Sequence, residues 1–223
     1  MVSIAIDGPA GAGKSTLARR VAKHLNFIYV DTGALYRAVG LKMLKQGITC
    51  EQLDKVEEML KSTELDIRFE DGEQVVVLDG ENVNSLIRTP EVSMMASSSS
   101  ALPVVRAFLL DMQRGLAKRN SVVMDGRDIG TVVLPDAEVK IFLTASPVAR
   151  AKRRYNELVE KGQQVDFESV LKDIEQRDYQ DSHREIAPLK QADDAALVDT
   201  TEVDLEGSFK LLLSTIEKIR AGK

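Results

Sequence analysis

Cysteine is almost missing from this 223-residue chain: Cys50 is the only one. An internal disulfide and a thiolate zinc cluster are therefore excluded, which fits a reducing compartment and predicts a cytoplasmic protein. Histidine is nearly as scarce. His24 and His183 are far apart and lack metal-ligand spacing, and His24 reads as a helix surface residue. Tryptophan is absent, and no apolar run approaches the ~18 residues that a membrane span needs. The amino terminus lacks the basic segment and long apolar core of a secretory leader, so neither export nor a membrane is expected. Positive charge is also in deficit. Thirty basic against 35 acidic residues leave a net charge of −5, which argues against a nucleic-acid polymer as partner. With no large exposed apolar stripe legible, a monomer is expected.

What is present is concentrated near the amino terminus. Gly8-Pro9-Ala10-Gly11-Ala12-Gly13-Lys14-Ser15 fits the phosphate-loop pattern G-x-x-x-x-G-K-[ST], and Thr16 continues it. A short β-rich run precedes it, and Leu17, Ala18, Val21, Ala22 and Leu25 follow at helical spacing. Strand, glycine loop and helix form the setting in which this motif works. Glycines let successive N–H groups point inward as an anion cradle, at the positive end of a helix. Lys14 is then expected at the β- and γ-phosphates of a nucleoside triphosphate, and the Ser15 hydroxyl at Mg²⁺.

Five apolar runs read as buried parallel strands: Val2–Ile6, Phe27–Val30, Ser121–Asp125, Val139–Leu143 and Ala196–Asp199. Helical patterns between them predict a doubly wound α/β core with ligands beyond the strands' carboxyl ends. Asp7, Asp31, Asp125 and Thr144 stand there. Asp125 has two readings, a partner for Mg²⁺ or a structural acid bonded to the loop backbone. The stretch between the second and third runs is much longer than one crossover helix requires. It contains the period-two segment Leu65–Phe69 and the apolar run Val75–Leu78, with turns at Asp71-Gly72 and Asp79-Gly80, which predict a small antiparallel meander. Residues 41–106 are therefore expected to form an inserted α+β subdomain, with 1–40 and 107–223 as the core. The serine run Ser97 to Ser100 reads as a flexible loop, a hinge or a helix start.

The phosphate loop alone does not choose a reaction. No guanine-reading Asn-Lys-x-Asp segment is present, which removes the common GTPases. Local arginine clusters in an acidic chain suit a small, highly charged ligand. A phosphate acceptor is largely a dianion at neutral pH and needs no general base, so the obstacle is repulsion between two anions. Guanidinium groups reduce it. Arg37, Arg127 and Arg184 are candidates on the acceptor side, and Arg153 and Arg154 could close over the transferred group. Loss of one well-aimed arginine should cost on the order of a hundredfold in rate. Kinases of other small acceptors, and a nucleotide-dependent switch with no acceptor, remain open on these residues alone.

Longer segments narrow the choice. Asp31-Thr32-Gly33-Ala34-Leu35-Tyr36-Arg37, Met124-Asp125-Gly126-Arg127-Asp128-Ile129-Gly130-Thr131-Val132-Val133 and Arg177-Asp178-Tyr179-Gln180-Asp181-Ser182-His183-Arg184 occur in that order. With the phosphate loop, they resemble the bacterial cytidylate kinase family along nearly the whole chain. The resemblance implies a P-loop nucleoside triphosphate hydrolase fold: a five-stranded parallel core, an inserted monophosphate-binding subdomain and a short lid at about 150–165. It implies phosphorylation of CMP or dCMP by ATP with Mg²⁺, in pyrimidine metabolism. By the same likeness Thr32, Arg37, Ser97, Arg106, Arg127, Asp128, Arg177, Asp181 and Arg184 would contact the monophosphate. Asp128 would accept from the cytosine amine, Arg106 and Ser97 would donate to the ring, and Asp181, held by Arg177, would take the sugar hydroxyls.

Overall fold

Short apolar runs, three of which end in an aspartate, build the central sheet. A computed structural model describes residues 1–70 and 73–222. The parallel strands are β1 (Ser3–Asp7), β2 (Ile28–Asp31), β6 (Val122–Gly126), β7 (Val139–Thr144) and β8 (Ala196–Asp199), in the order β2-β6-β1-β7-β8. The first three start one residue later than the apolar runs and end one later. The ladder continues through the terminal acid: Asp7 pairs with Gly126, and Asp31 with Asp125. Hydrophobicity marks where a strand is buried, whereas hydrogen bonding marks where it ends.

Helices α1 (Lys14–Leu25) and α8 (Leu205–Ala221) cover one face of this sheet, burying Leu17, Val21, Leu212 and Ile216 against Ile4, Ile6 and Ile141. On the other face Leu116 of α5 (Pro103–Arg119) packs with Val122, Met124 and Ile129. A π-helical turn, Ile129–Val133, follows β6 directly. Asp7 holds it, accepting from the Ile129 and Gly130 N–H groups at 2.7 Å each. Two glycines are forced by close approach. At Gly8 (φ +149°) a Cβ would sit 1.9 Å from the Leu143 carbonyl oxygen, and at Gly126 one would meet the Ile129 side chain at 2.6 Å.

The middle of the chain forms a second layer. Strands β3 (Leu65–Glu70), β4 (Glu73–Leu78) and β5 (Glu81–Asn82) are antiparallel, in the order β3-β4-β5. The Asp79-Gly80 turn joins the last two with both residues at positive φ. The other expected turn, Asp71-Gly72, lies outside the described residues. Around this sheet pack α2 (Thr32–Lys45), α3 (Leu53–Lys61), α4 (Pro90–Ser99) and α5, through a core that includes Leu35, Val39, Met43, Val76 and Leu109. Both expected edges of the insertion, near 40 and 106, therefore fall inside continuous helices. One apolar core spans these helices, and sequence texture does not change where a helix passes from one layer to the next.

The serine run is neither a loop nor a helix start. Ser97–Ser99 are the last turn of α4 and Ser100 is its carboxyl cap. Pro103 opens α5 after a 98° bend. Beyond β7, α6 (Pro147–Glu160) and α7 (Phe167–His183) pack on one another around Ala151, Val170 and Ile174, with the expected lid residues on α6 and the loop after it. Among the described residues no single helix is long and apolar enough to cross a membrane.

Candidate active site

The carboxyl ends of β1, β2 and β6 open into a cavity of about 720 Å³. Its floor is the phosphate loop, residues Ala10 to Thr16. Gly13 (φ +85°) caps α1 without a side chain, so that helix start presents bare backbone toward the cavity. Gly8 and Pro9 do not reach the wall. Gly8 lies against the Leu143 backbone, and the Pro9 carbonyl accepts from Lys14 Nζ at 2.7 Å. Burial pushes the Lys14 amine down to about 7, and Arg127 adds to the shift, against Asp125, Asp181 and Asp7.

Beside Lys14 lies an oxygen-rich corner. The Ser15 hydroxyl donates to Asp125 Oδ2 at 2.9 Å, the Tyr29 hydroxyl donates to Asp125 Oδ1 at 2.8 Å, and Thr32 Oγ1 donates to the Asp125 carbonyl at 2.8 Å. Of the two readings of Asp125, bonding to the loop backbone is not what the structure shows; its carboxylate braces the loop's hydroxyl. Burial raises this carboxyl to about 6, as it does that of Asp7. Ser15 is itself exposed. A hydroxyl oxygen braced by a carboxylate is a hard donor set that suits Mg²⁺, an ion that takes few protein ligands and completes its shell with water and phosphate. Among the described residues no group of three or more His, Cys, Asp or Glu could hold a metal alone.

The rest of the cavity wall carries alternating charge. Asp31 caps α2 through the Ala34 N–H and accepts from Arg37 at 2.9 Å. Asp128, next to the π turn, is in hydrogen-bonded contact with Arg106 and stands 3.8 Å from Arg184 Nη2. Burial pushes the Asp128 carboxyl up, with Arg106 and Arg184 opposing. Arg184 also donates to the Ser100 hydroxyl at 3.1 Å. Asp181 accepts from Arg127 at 2.7 Å rather than from Arg177, correcting the expected pair. Burial alone would raise its carboxyl, but Arg127 and Arg177 outweigh it and hold it below the usual range. Three arginine nitrogens here, Arg37 Nε, Arg177 Nε and Arg184 Nη2, are buried without a hydrogen-bond partner among the described residues. Unpaired buried donors are costly, and an anion would satisfy them.

Thr32, Arg37, Ser97, Arg106, Arg127, Asp128, Arg177, Asp181 and Arg184 all line this one cavity, together with Lys14 and Ser15. Ser97 lines it and Ser98 does not, because successive helical residues face different ways. Arg153 and Arg154 line it as well, but both are already engaged. Arg153 donates to the Thr200 carbonyl at 2.5 Å, and Arg154 to Glu157 at 2.8 Å.

The cytidylate kinase family model matches residues 4–218. This chain belongs to the cytidylate kinase family. It is 50% identical over 218 residues to the cytidylate kinase of Caldicellulosiruptor saccharolyticus, covering 98% of this chain and 96% of that one. It is 48% identical to the cytidylate kinase of Clostridium perfringens strain SM101, covering 98% and 99%. An uncharacterized protein from Eubacterium ventriosum has a crystal structure that aligns over 97% of this chain and 99% of its own, with a TM-score of 0.54 at 15% identity; it shares the fold.

Several residues of this cytidylate kinase family site escaped the sequence reading. Tyr36 lines the cavity, with the Arg106 guanidinium 5.9 Å from its ring centroid, and it could have been noticed as the neighbour of Arg37. Tyr29 looked like one more strand residue, and its hydroxyl's partner is 96 positions away. Gln74 gave no signal. Its amide closes two hydrogen bonds on the Asp31 backbone, accepting from the N–H at 2.8 Å and donating to the carbonyl at 3.2 Å.

Proposed function

We propose that this chain transfers the γ-phosphoryl group of ATP to CMP or dCMP, giving ADP and CDP or dCDP. The observation that carries the reading is one cavity that brings together an anion cradle with Lys14, the Asp128–Arg106 pair and unpartnered buried arginine nitrogens. An acceptor-phosphate oxygen forms the new bond to the γ-phosphorus as the bridging bond to the β-phosphate breaks in line, and ADP leaves with that electron pair. No side chain forms a covalent intermediate. Because the attacking dianion carries no proton to remove, the chain's contribution is positioning and charge stabilisation.

Lys14 and the loop amides hold the β- and γ-phosphates. Arg37, Arg127 and Arg184 draw the acceptor phosphate toward them, and Arg153 and Arg154 cover the transfer once released from Thr200 and Glu157. Bound at Ser15 with Asp125 behind it, Mg²⁺ would neutralise charge on the phosphates. Asp128 Oδ2 is occupied by Arg106, while Oδ1, 3.8 Å from Arg184 Nη2, accepts no hydrogen bond among the described residues and would take the cytosine amine. Uracil would present a carbonyl oxygen to the same carboxylate and be repelled. Arg106 and Ser97 serve the ring acceptors, Asp181 the sugar hydroxyls, and residues 41–106 move with the acceptor. Every residue named comes from one chain, so the reaction needs no second copy, and we infer a monomer. A cytoplasmic location would suit an ATP donor.

A panel of monophosphates assayed by ADP release tests the reading. CMP and dCMP should be the fastest acceptors; UMP or AMP outrunning them would overturn it.

A further inference from the structure

Arg150 stands in the basic run that also holds Arg153 and Arg154, yet it lines no part of the cavity. It is 2% exposed, and every contact of its guanidinium is internal. Nε donates to the Ala145 carbonyl just beyond β7 at 2.8 Å. Nη1 donates to the Ala10 carbonyl in the phosphate loop at 2.9 Å and to Asp178 Oδ1 at 2.9 Å; Nη2 donates to Asp178 Oδ2 at 2.5 Å. One rigid fork thus joins the donor loop to α7, the helix that carries Arg177 and Asp181 and ends at Arg184.

The Ala10 contact has a direct stereochemical effect. In a planar trans peptide the carbonyl and the next N–H point in opposite directions. Holding the Ala10 oxygen at Arg150 aims the Gly11 N–H the other way, and Gly11 is a cavity residue. The approach is close: a Cβ on Gly11 would lie 3.4 Å from Arg150 Cβ. At the Asp178 end, the carboxylate is fixed on the residue next to Arg177 and one turn before Asp181.

We propose that Arg150 is a positioning residue that couples the two nucleotide sites. By gripping the Ala10 carbonyl and the Asp178 carboxylate together, it joins the orientation of the phosphate cradle to the placement of the acceptor-binding residues of α7. A donor that fixes the loop therefore prepares α7 for the acceptor, and by thermodynamic reciprocity the acceptor tightens the donor. The inference rests on the reading of α7 as the acceptor's helix given under Proposed function.

Calorimetric titration of CMP into the full chain, with and without saturating Mg²⁺ and the non-transferable β,γ-imido analogue of ATP, reads the coupling as a ratio of dissociation constants. In the wild type that ratio should be about fivefold or more. Asp178→Asn keeps the grip on Ala10 and weakens the link to α7; its ratio should fall toward one while analogue binding alone changes by less than about threefold. Arg150→Lys, whose single ammonium cannot span Ala145, Ala10 and Asp178, should also lose most of the coupling. Circular dichroism and thermal melting establish that each variant is folded, and Asp178→Asn suffices if the lysine variant is not. A ratio of one in the wild type, or an unchanged ratio in folded Asp178→Asn, overturns the proposal. Failure of wild-type chain to bind CMP in either state overturns the acceptor reading, and this proposal with it.

Discussion

Tyr29 Oη and Asp125 Oδ1 are 2.8 Å apart, and the hydroxyl that closes this gap is one of two braces on a buried carboxylate. The bond to Tyr29 holds the Asp125 carboxyl down against a burial effect that raises it to about 6. Tyr29→Phe removes that bond and lets the carboxyl rise further. The acid limb of the kcat/KM profile should then move to higher pH, and half-maximal activity should need more Mg²⁺. Loss of the buried hydrogen bond should also cost ~1–3 kcal/mol in stability, read by denaturant unfolding. An unmoved acid limb would show that Asp125 does not set it.

Lys14 carries a second pH-dependent expectation. Burial and Arg127 lower its amine to about 7, so the ligand-free chain gives up part of its charge there as pH rises through this range. Phosphates in the cradle favour the ammonium form and raise it again. ADP binding at pH 8 should therefore take up protons, seen as a calorimetric enthalpy that depends on the buffer's ionisation heat. Equal enthalpies in buffers of different ionisation heat would mean that the amine is already charged.

Asp128→Asn tests the base reading. The amide keeps the shape and loses the charge, and it can offer an N–H to a uracil oxygen. Discrimination between CMP and UMP in kcat/KM should fall by ~1–3 kcal/mol. The chain should remain folded, because Arg106 retains an oxygen acceptor. An unchanged CMP/UMP ratio would remove Asp128 from specificity.

Gln74→Met tests a more remote effect. The Gln74 amide extends the β2 edge at Asp31, whose carboxylate caps α2 and accepts from Arg37. Losing both bonds should loosen Arg37, raising KM for CMP several-fold and leaving KM for ATP unchanged. Equal rises in both constants would point to a general loss of structure.

Residues that act through their near neighbours were the legible part of this site. The phosphate loop needs glycines at fixed offsets because local backbone angles and the next helix make the cradle. Lys14 and Ser15 follow from position within it. The parallel sheet was legible because its strands are short apolar runs separated by helical periodicity, although their last residues were not, since Asp7 and Asp31 pair by backbone alone. The serine run misled because serine composition is common to loops and to helix ends; the 98° bend before Pro103 made it a helix end.

The sequence by itself determined a phosphate-binding strand, loop and helix, a parallel α/β core, and a stock of arginines and acids in a family-specific order. Only the tertiary structure decided which of these charges meet. Arg127 reaches Asp181 across 54 positions, Arg106 reaches Asp128 across 22, and Arg150 joins Ala10 to α7 across 140 and 28. Such pairings depend on how α5 packs on the sheet and how α6 and α7 pack on one another. Charge attraction is the same for any arginine and any aspartate, and the partner is chosen by the apolar cores that fix each helix in place.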